Sequence, residues 1–284
     1  MANTLTARSR QAKARAMALR IIFTILLGGL AFTMIIPFLW MISASMKHAL
    51  DVTAIPIKWI PDYFYPNNYK EVWNIGGNAK VDYHFALAYF NSLKIAVINV
   101  TGAVLTSCLA GYAFAKIKFR GRDVVFLLYL STMMIPKFVI FDRLGMIGTH
   151  WTLILPGIFT ITGTFLMRQY FTQIPDEVRE SAKIDGASEF TIWRKIMLPM
   201  AKSSMAALAM MVFLWTWNNY LDALVFLPNW RLYTIPLALT SFIEESTTQY
   251  HLMMAAASSA IVPVVIVFII GNKQFVKGIT AGAV

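Results

Sequence analysis

Apolar runs free of charged residues divide the chain into a repeating pattern. Five of them, Ile21–Met46, Ile95–Ala115, Leu144–Met167, Ser203–Leu221 and Leu252–Asn272, are interrupted by no Asp, Glu, Lys or Arg. A hydrocarbon core of about 30 Å is crossed by about 20 helical residues, so each run predicts a membrane-spanning helix. With their apolar flanks the predicted spans lie near residues 21–46, 86–115, 151–169, 203–227 and 252–271. A sixth run, Val124–Pro136, is shorter and ends at Lys137. At about 1.5 Å per residue it reaches roughly 20 Å. It spans only if it continues to Phe141, giving 124–141, with Lys137 snorkelling or facing protein. The alternative is a re-entrant or interfacial segment.

Charge supports six spans with both ends on the same side. With both termini inside, the inner segments carry Arg8, Arg10, Lys13, Arg15 and Arg20, then Lys116, Lys118, Arg120 and Arg122. Arg168, Arg179, Lys183, Arg194, Lys195 and Lys202 follow, and Lys273 and Lys277 close the series. They hold 17 of the 25 basic residues, which is the positive-inside pattern of cytoplasmic loops. The net charge of +11 therefore reads as an orientation signal and not as a nucleic-acid footprint. Composition agrees: 58% of the 284 residues are hydrophobic, 14% are charged and the mean hydropathy is +0.60, which excludes an ordinary water-soluble enzyme. Cys108 is the lone cysteine, and His48, His84, His150 and His251 are scattered. No disulfide, metal site or clustered catalytic constellation is expected. The first run is too long for a cleavable signal and lacks a small-residue cleavage site, so it is expected to stay as a span behind a mobile basic arm over 1–20.

Two segments outside the spans are long. Lys47–His84 carries Pro56, Pro61 and Pro66 among many aromatics. It predicts short elements lying on the membrane surface, with an interfacial aromatic belt. In Asn229–Tyr250 the apolar stretch Leu232–Ile243 is too short to span.

The segment 174–199, IPDEVRESAKIDGASEFTIWRKIMLP, is a polar island between the fourth and fifth spans. Pro175 suits a first helical position, and Asp176 and Glu177 favour the positive helix end. Gly186 is placed as a left-handed terminator and Ser188 as the cap of a second helix reaching about Met197. Phe190, Trp193 and Met197 then share one face by i, i+3, i+7 spacing. A helix, a glycine turn and a second helix with an aromatic face predict a docking surface on the cytoplasmic side.

The spacing Glu180-Ser181-Ala182, three residues, Gly186, nine residues, Ile196-Met197-Leu198-Pro199 resembles the EAA loop of integral-membrane subunits of ATP-binding-cassette importers, with Ser181 in place of the first alanine. Ile184-Asp185-Gly186-Ala187-Ser188 and the terminal Thr280-Ala281-Gly282-Ala283-Val284 narrow the resemblance to carbohydrate-uptake permeases similar to the second membrane subunit of maltose importers. Asn91-Ser92, Gly111-Tyr112-Ala113, Trp217-Asn218-Asn219-Tyr220 and Leu232-Tyr233-Thr234-Ile235-Pro236 also fit. The chain departs near Ile135-Pro136-Lys137, where relatives carry a second Ile-Pro step and one or two further helical turns.

The resemblance implies an all-α transmembrane protein of the six-helix type I importer permease fold, a single permease domain over 21–284 with both termini cytoplasmic. It implies a bacterial cytoplasmic (inner) membrane location. Its partners would be a second homologous permease, two ATPase subunits, an extracytoplasmic sugar-binding protein and the lipid bilayer. Glu180 would pair with a basic group of the ATPase subunit, Ser181, Ala182, Asp185 and Gly186 would lie in its cleft, and Phe190 and Trp193 would dock there. Ile196, Leu198 and Pro199 would hold the loop to the bundle. No catalytic residue and no cofactor is expected on this chain. It has no G-x-x-x-x-G-K-[ST] phosphate loop, so ATP and Mg would belong to the ATPase partner.

For the substrate pathway the candidates are Trp217, Asn218, Asn219, Tyr220 and Asp222. Polar groups at membrane depth mark pathways by default, although amides also join helices by hydrogen bonds. Lys94 and Arg231, near the outer side, allow an acidic sugar, while snorkelling anchors explain them equally. The functional alternative is an ion-coupled secondary transporter or channel. That would require paired intramembrane charges or an inverted repeat.

Overall fold

A computed structural model describes residues 2–75, 77, 84–132, 135–243 and 249–281, with side chains described only from Met17 to Gln274. Among these residues every regular element is helical. The backbone divides into two compact units, Met1–Tyr69 with Gln249–Ser258, and Lys70–Thr248 with Ser259–Val284.

In the first unit, α1 (Ala2–Ser45) is one continuous helix. The arm expected to be mobile therefore continues the helical backbone of the first span. From Ile21 to Ile42 most of its large apolar side chains are about half exposed or more, Ile36, Trp40 and Met41 being partly covered. A helix apolar on all sides suits hydrocarbon. Beyond it lie α2 (Ala49–Val52) and α3 (Asn67–Val72). The Asn68 amide donates to the Ser45 and Lys47 carbonyls at 2.8 Å each. The Tyr65 N–H donates to Met46 O at 2.8 Å, and the Lys47 ammonium sits 4.1 Å from the Trp40 ring centre. The hydrogen bonds satisfy the Ser45 carbonyl that ends α1 and the Met46 and Lys47 carbonyls just beyond it, groups that no helical N–H reaches.

The second unit is built on α4 (Phe85–Lys116), 32 residues long. It is followed by α5 (Arg122–Ser131), α6 (Lys137–Arg143), α7 (Trp151–Ile158), α8 (Ile161–Gln173), α9 (Asp176–Ile184) and α10 (Glu189–Ile192). Then come α11 (Leu198–Met200), α12 (Lys202–Trp217), α13 (Leu221–Phe226), α14 (Ile235–Ala238) and α15 (Tyr250–Ala281), whose first residues belong to the other unit. Helices α7, α8 and α12 pack most extensively along α4. Glycine makes this closeness possible: a Cβ on Gly111 would stand 2.7 Å from Met167 Cβ and 2.9 Å from the Arg168 nitrogen.

Among the described residues, Met17–Ser45, Phe85–Lys116, Trp151–Gln173 and Tyr250–Gln274 are long and apolar enough to cross a membrane. The pair Glu189–Met200 and Lys202–Trp217, bent by 77°, makes a fifth by length and composition. Three predicted spans are interrupted: 151–169 divides into α7 and α8 at Phe159 and Thr160, although together they keep the length of a span. Segment 124–141 forms α5 and α6, of 10 and 7 residues, and neither alone reaches across a bilayer core. Pro136 caps α6 in extended conformation, a position where its missing N–H costs no helical hydrogen bond; Met133 and Met134 lie outside the described residues. The fifth predicted span, 203–227, stops at Trp217 and resumes at Leu221.

The apolar stretch 232–243 is buried against α4. Asn91 donates to the Arg231 and Tyr233 carbonyls at 3.0 and 3.1 Å, and the Ile235 N–H donates to Ser92 Oγ at 2.8 Å. Two motifs about 140 residues apart in sequence thus bond to each other. Asn91 satisfies backbone that has no helical partner, which a buried segment demands.

Candidate functional site: a charged joint and a polar cleft

The segment 174–199 forms a joint on the end of α4. Pro175 is the cap of α9 and Asp176 its first residue, one position later than the sequence predicts. Gly186 has φ +80° and nothing within 4 Å of a built Cβ, so backbone conformation and not space calls for glycine there. The Ser188 side chain caps α10 by accepting from the Thr191 N–H at 3.3 Å.

Packing sorts the predicted coupling residues into two sets. Ala182 and Trp193 are buried, beside Ile192 and Met197, in one apolar cluster with Tyr112, Met167 and Phe171. Ile196 and Leu198 pack partly against it. Glu180, Ser181, Asp185, Gly186, Phe190 and Pro199 are exposed. Trp193 is therefore an internal anchor and not part of the free aromatic face expected of it. After Ile192 the backbone follows a wider helical turn over Trp193–Met197, which changes the register assumed by i, i+3, i+7 spacing. Phe190 keeps its exposure, 60%, with its ring centre 5.4 Å from that of Trp193. Ile184, not among the predicted residues, is 86% exposed. The outward surface is thus Glu180, Ile184, Gly186 and Phe190.

A charge cluster that sequence reasoning missed ties the joint to α4. The Tyr112 hydroxyl donates to Glu189 Oε2 at 2.7 Å. Arg179 Nε donates to the same oxygen at 3.2 Å, its terminal nitrogen bonds Oε1, and Lys183 Nζ lies 2.7 Å from Oε1. The Arg179 hydrogen bond, with those of Lys183 and Tyr112, holds the Glu189 carboxyl down at about 2. One turn further along α4, the buried Lys116 ammonium bonds the Ile174 carbonyl and donates to Asp176 Oδ1 at 2.6 Å. That bond holds the Asp176 carboxyl below the usual range. Tyr112 and Lys116 share a face of α4 by i, i+4 spacing. That spacing was visible in the sequence; their partners 60 and 77 residues away were not.

The second site is a cleft of about 250 Å³ where α12 gives way to α13. Asn99, Lys137, Thr160, Trp215, Thr216, Asn219 and Asp222 supply its polar and aromatic lining. Asn219 Nδ2 donates to Asp222 Oδ2 at 3.0 Å, and the Asp222 N–H donates to Asn219 Oδ1 at 3.2 Å. Lys137 Nζ donates to Asp222 Oδ2 at 3.3 Å. Of the predicted pathway residues, Asn219 and Asp222 line this cleft. Trp217 does not: it is buried, and its indole donates to Ala260 O at 3.0 Å. Asn218 folds back to Leu214 O at 2.9 Å, and Tyr220 starts α13. Asn99, Lys137, Trp215 and Thr216 were not predicted as pathway residues. A polar residue within an apolar run, as Asn99 is, was the available signal.

Residues 103–281 match the family model described as binding-protein-dependent transport system inner membrane component. The chain belongs to that family. This is the permease component of ATP-binding-cassette transporters, a multi-pass membrane protein, and the matched region contains the whole joint and every polar lining residue of the cleft except Asn99. The chain is 32% identical over 272 residues to an arabinooligosaccharides transport system permease protein, AraQ, of Halalkalibacterium halodurans, covering 93% of this chain and 95% of that one. It is 33% identical over 275 residues to the galactooligosaccharides transport system permease protein GanQ of Bacillus subtilis, with the same coverage. A solved bacterial ABC transporter involved in the import of the acidic polysaccharide alginate has a chain that superposes with a TM-score of 0.79 at 25% identity, covering 90% of this chain and 95% of that one.

Proposed function

We propose that the chain is one of two permease subunits of a carbohydrate importer in a bacterial inner membrane. Two separate ATPase subunits, which hold ATP and Mg, and an external sugar-binding protein complete the assembly. The permease family and the named saccharide permeases support this reading. Six spans with both termini cytoplasmic follow from the charge pattern, the third being the broken pair α5 and α6.

The exposed strip Glu180, Ile184, Gly186 and Phe190 is the surface offered to the ATPase. The observation that carries this assignment is the division of one short segment into a buried face fastened to α4 and an exposed face that includes two large apolar side chains, Ile184 and Phe190. Large exposed apolar groups grouped on a polar loop mark interaction sites. Closure of the ATPase dimer would then move the joint and α4 together by rigid-body rotation.

Glu180→Lys tests this. Membrane insertion is expected to be unchanged, while co-purification of the ATPase subunits and sugar uptake fall sharply. Wild-type uptake by this variant would reject the docking role. A thiol introduced by Asp185→Cys, beside the Gly186 turn, should react only with reagents reaching the cytoplasmic side; labelling from outside would reject the topology.

A further inference from the structure

The cleft contains an unmet hydrogen-bonding demand. Asn99 is 2% exposed. Its Nδ2 donates to Leu153 O and to Thr216 Oγ1, both at 3.3 Å, while its Oδ1 has no hydrogen-bond partner. A buried amide oxygen without a donor costs about 1–3 kcal/mol. Its position is built in: a Cβ on Gly157 would stand 2.2 Å from Asn99 Nδ2, so only glycine leaves room for that amide. Among the described residues, few other buried side-chain polar atoms lack a partner, and none of those residues lines this cleft.

The remaining lining narrows what would meet the demand. The charged residues are Lys137 and Asp222, bonded to each other, so the wall carries no net charge. Lys137 has ammonium hydrogens to spare and Asp222 has lone pairs to spare. Trp215, 54% exposed, adds an aromatic surface. Donors and acceptors beside an apolar face match the hydroxyls and C–H face of a sugar ring. The volume, about 250 Å³, falls just below the roughly 300 Å³ at which sites for drug-sized ligands begin. That is room for one ring.

We propose that this cleft is a saccharide subsite of this subunit that receives one uncharged, hydroxyl-rich ring, with the Asn99 amide, once turned so that its enclosed Oδ1 faces the cleft, accepting from a ring hydroxyl and the Lys137–Asp222 pair binding a neighbouring one. The proposal rests on the importer reading above. It adds that neutral saccharides are accepted and uronates disfavoured, because a sugar carboxylate would meet the Asp222 carboxylate in a wall where the Lys137 charge is already offset. Breaking the pair from either side leaves a net charge in the cleft, and removing both charges restores neutrality.

The test uses the complete importer in proteoliposomes, with labelled arabinotriose, galactotriose and trigalacturonate as probes. The wild type is expected to take up a neutral probe and to exclude the uronate. Asp222→Asn and Lys137→Gln should each lower neutral uptake roughly tenfold, the worth of one lost charge-assisted bond. ATPase stimulation by the binding protein should persist, and the double variant should recover most of the loss. Occupancy is read separately, without the binding protein, through a thiol introduced by Thr160→Cys in the cleft wall, which keeps Trp215 in place; the native Cys108 is buried. Galactose should protect that thiol from maleimide and galacturonate should not. Wild-type neutral uptake by both single variants, or equal protection by the two sugars, overturns the subsite while leaving the importer reading intact. A wild-type importer that moves none of the probes overturns that reading and the subsite with it.

Discussion

Two interruptions of helix in the second unit are built in opposite ways. At the Gly186 turn, the Glu189 carboxylate is bonded by Arg179, Lys183 and Tyr112 together. The only buried side-chain donor left without a partner among residues 174–199 is the Trp193 indole. At the break between α12 and α13, polar groups surround open space and the Asn99 amide oxygen is unmet. A closed polar network fixes geometry, whereas an open one has capacity left for a ligand. Loss of a side chain should therefore register in stability at the first interruption and in transport at the second.

The sharpest break of that comparison would come from the packing beneath the joint. Gly111→Ala places a Cβ against the backbone of Met167 and Arg168, which cannot swing aside, and should cost about 3 kcal/mol. It is read as a lowered unfolding midpoint of the purified permease in detergent. Glu189→Ala should cost less, about 1–2 kcal/mol, because the carboxylate is partly exposed and screened. It should raise hydrogen exchange across 176–197. Exchange unchanged in this variant would show that the charge cluster fastens nothing. Ser188→Ala, which removes the cap of α10, should cost about 1 kcal/mol, seen as faster exchange confined to its first turn. Smallest is Glu180→Ala, expected within about 0.5 kcal/mol of wild type in stability although uptake falls. A large stability loss there would erase the distinction between the inward and outward faces.

Acid offers another way to separate the two. A Glu189 pKa near 2 in the folded protein, against about 4.3 unfolded, means the folded state favours the charged form. The resulting stabilisation is complete well above pH 4.3 and is lost as pH falls toward 2. Exchange protection of the joint should therefore be level across neutral and mildly acidic pH and decline only below about pH 4. A decline centred near pH 6 would point to a different group.

Much of the site was legible along the chain, but only where the determining interactions are local. Gly186, Ser188 and the helix start near Pro175 follow from backbone preferences within a few residues, and the structure has them at or within one position of their places. The roles of Trp193 and Trp217 were not legible, because periodicity gives a face and not its neighbour. Trp193 turns into the cluster with Met167 and Phe171, and Trp217 reaches Ala260. The sequence leaves Lys137 either snorkelling or facing protein; the structure has it facing Asp222, 85 residues on, which nothing near it in sequence announces. The sequence carries 124–141 on to Phe141 as one span, whereas the structure divides it and caps α6 at Pro136; the short apolar run is the only signal of that division.

Helix α4 meets three of these features in turn: Ser92 holds the 232–243 segment, Asn99 lines the cleft, and Tyr112 and Lys116 hold the joint. No proline or described break interrupts it between Phe85 and Lys116. At about 1.5 Å per residue, the distance from Ser92 to Tyr112 is about 30 Å. Such a rod has no internal slack. A tilt of about 10° pivoting near mid-helix would carry each end about 4 Å in opposite directions, so a stroke delivered at one mouth of the bundle arrives at the other with its sense reversed and its length preserved.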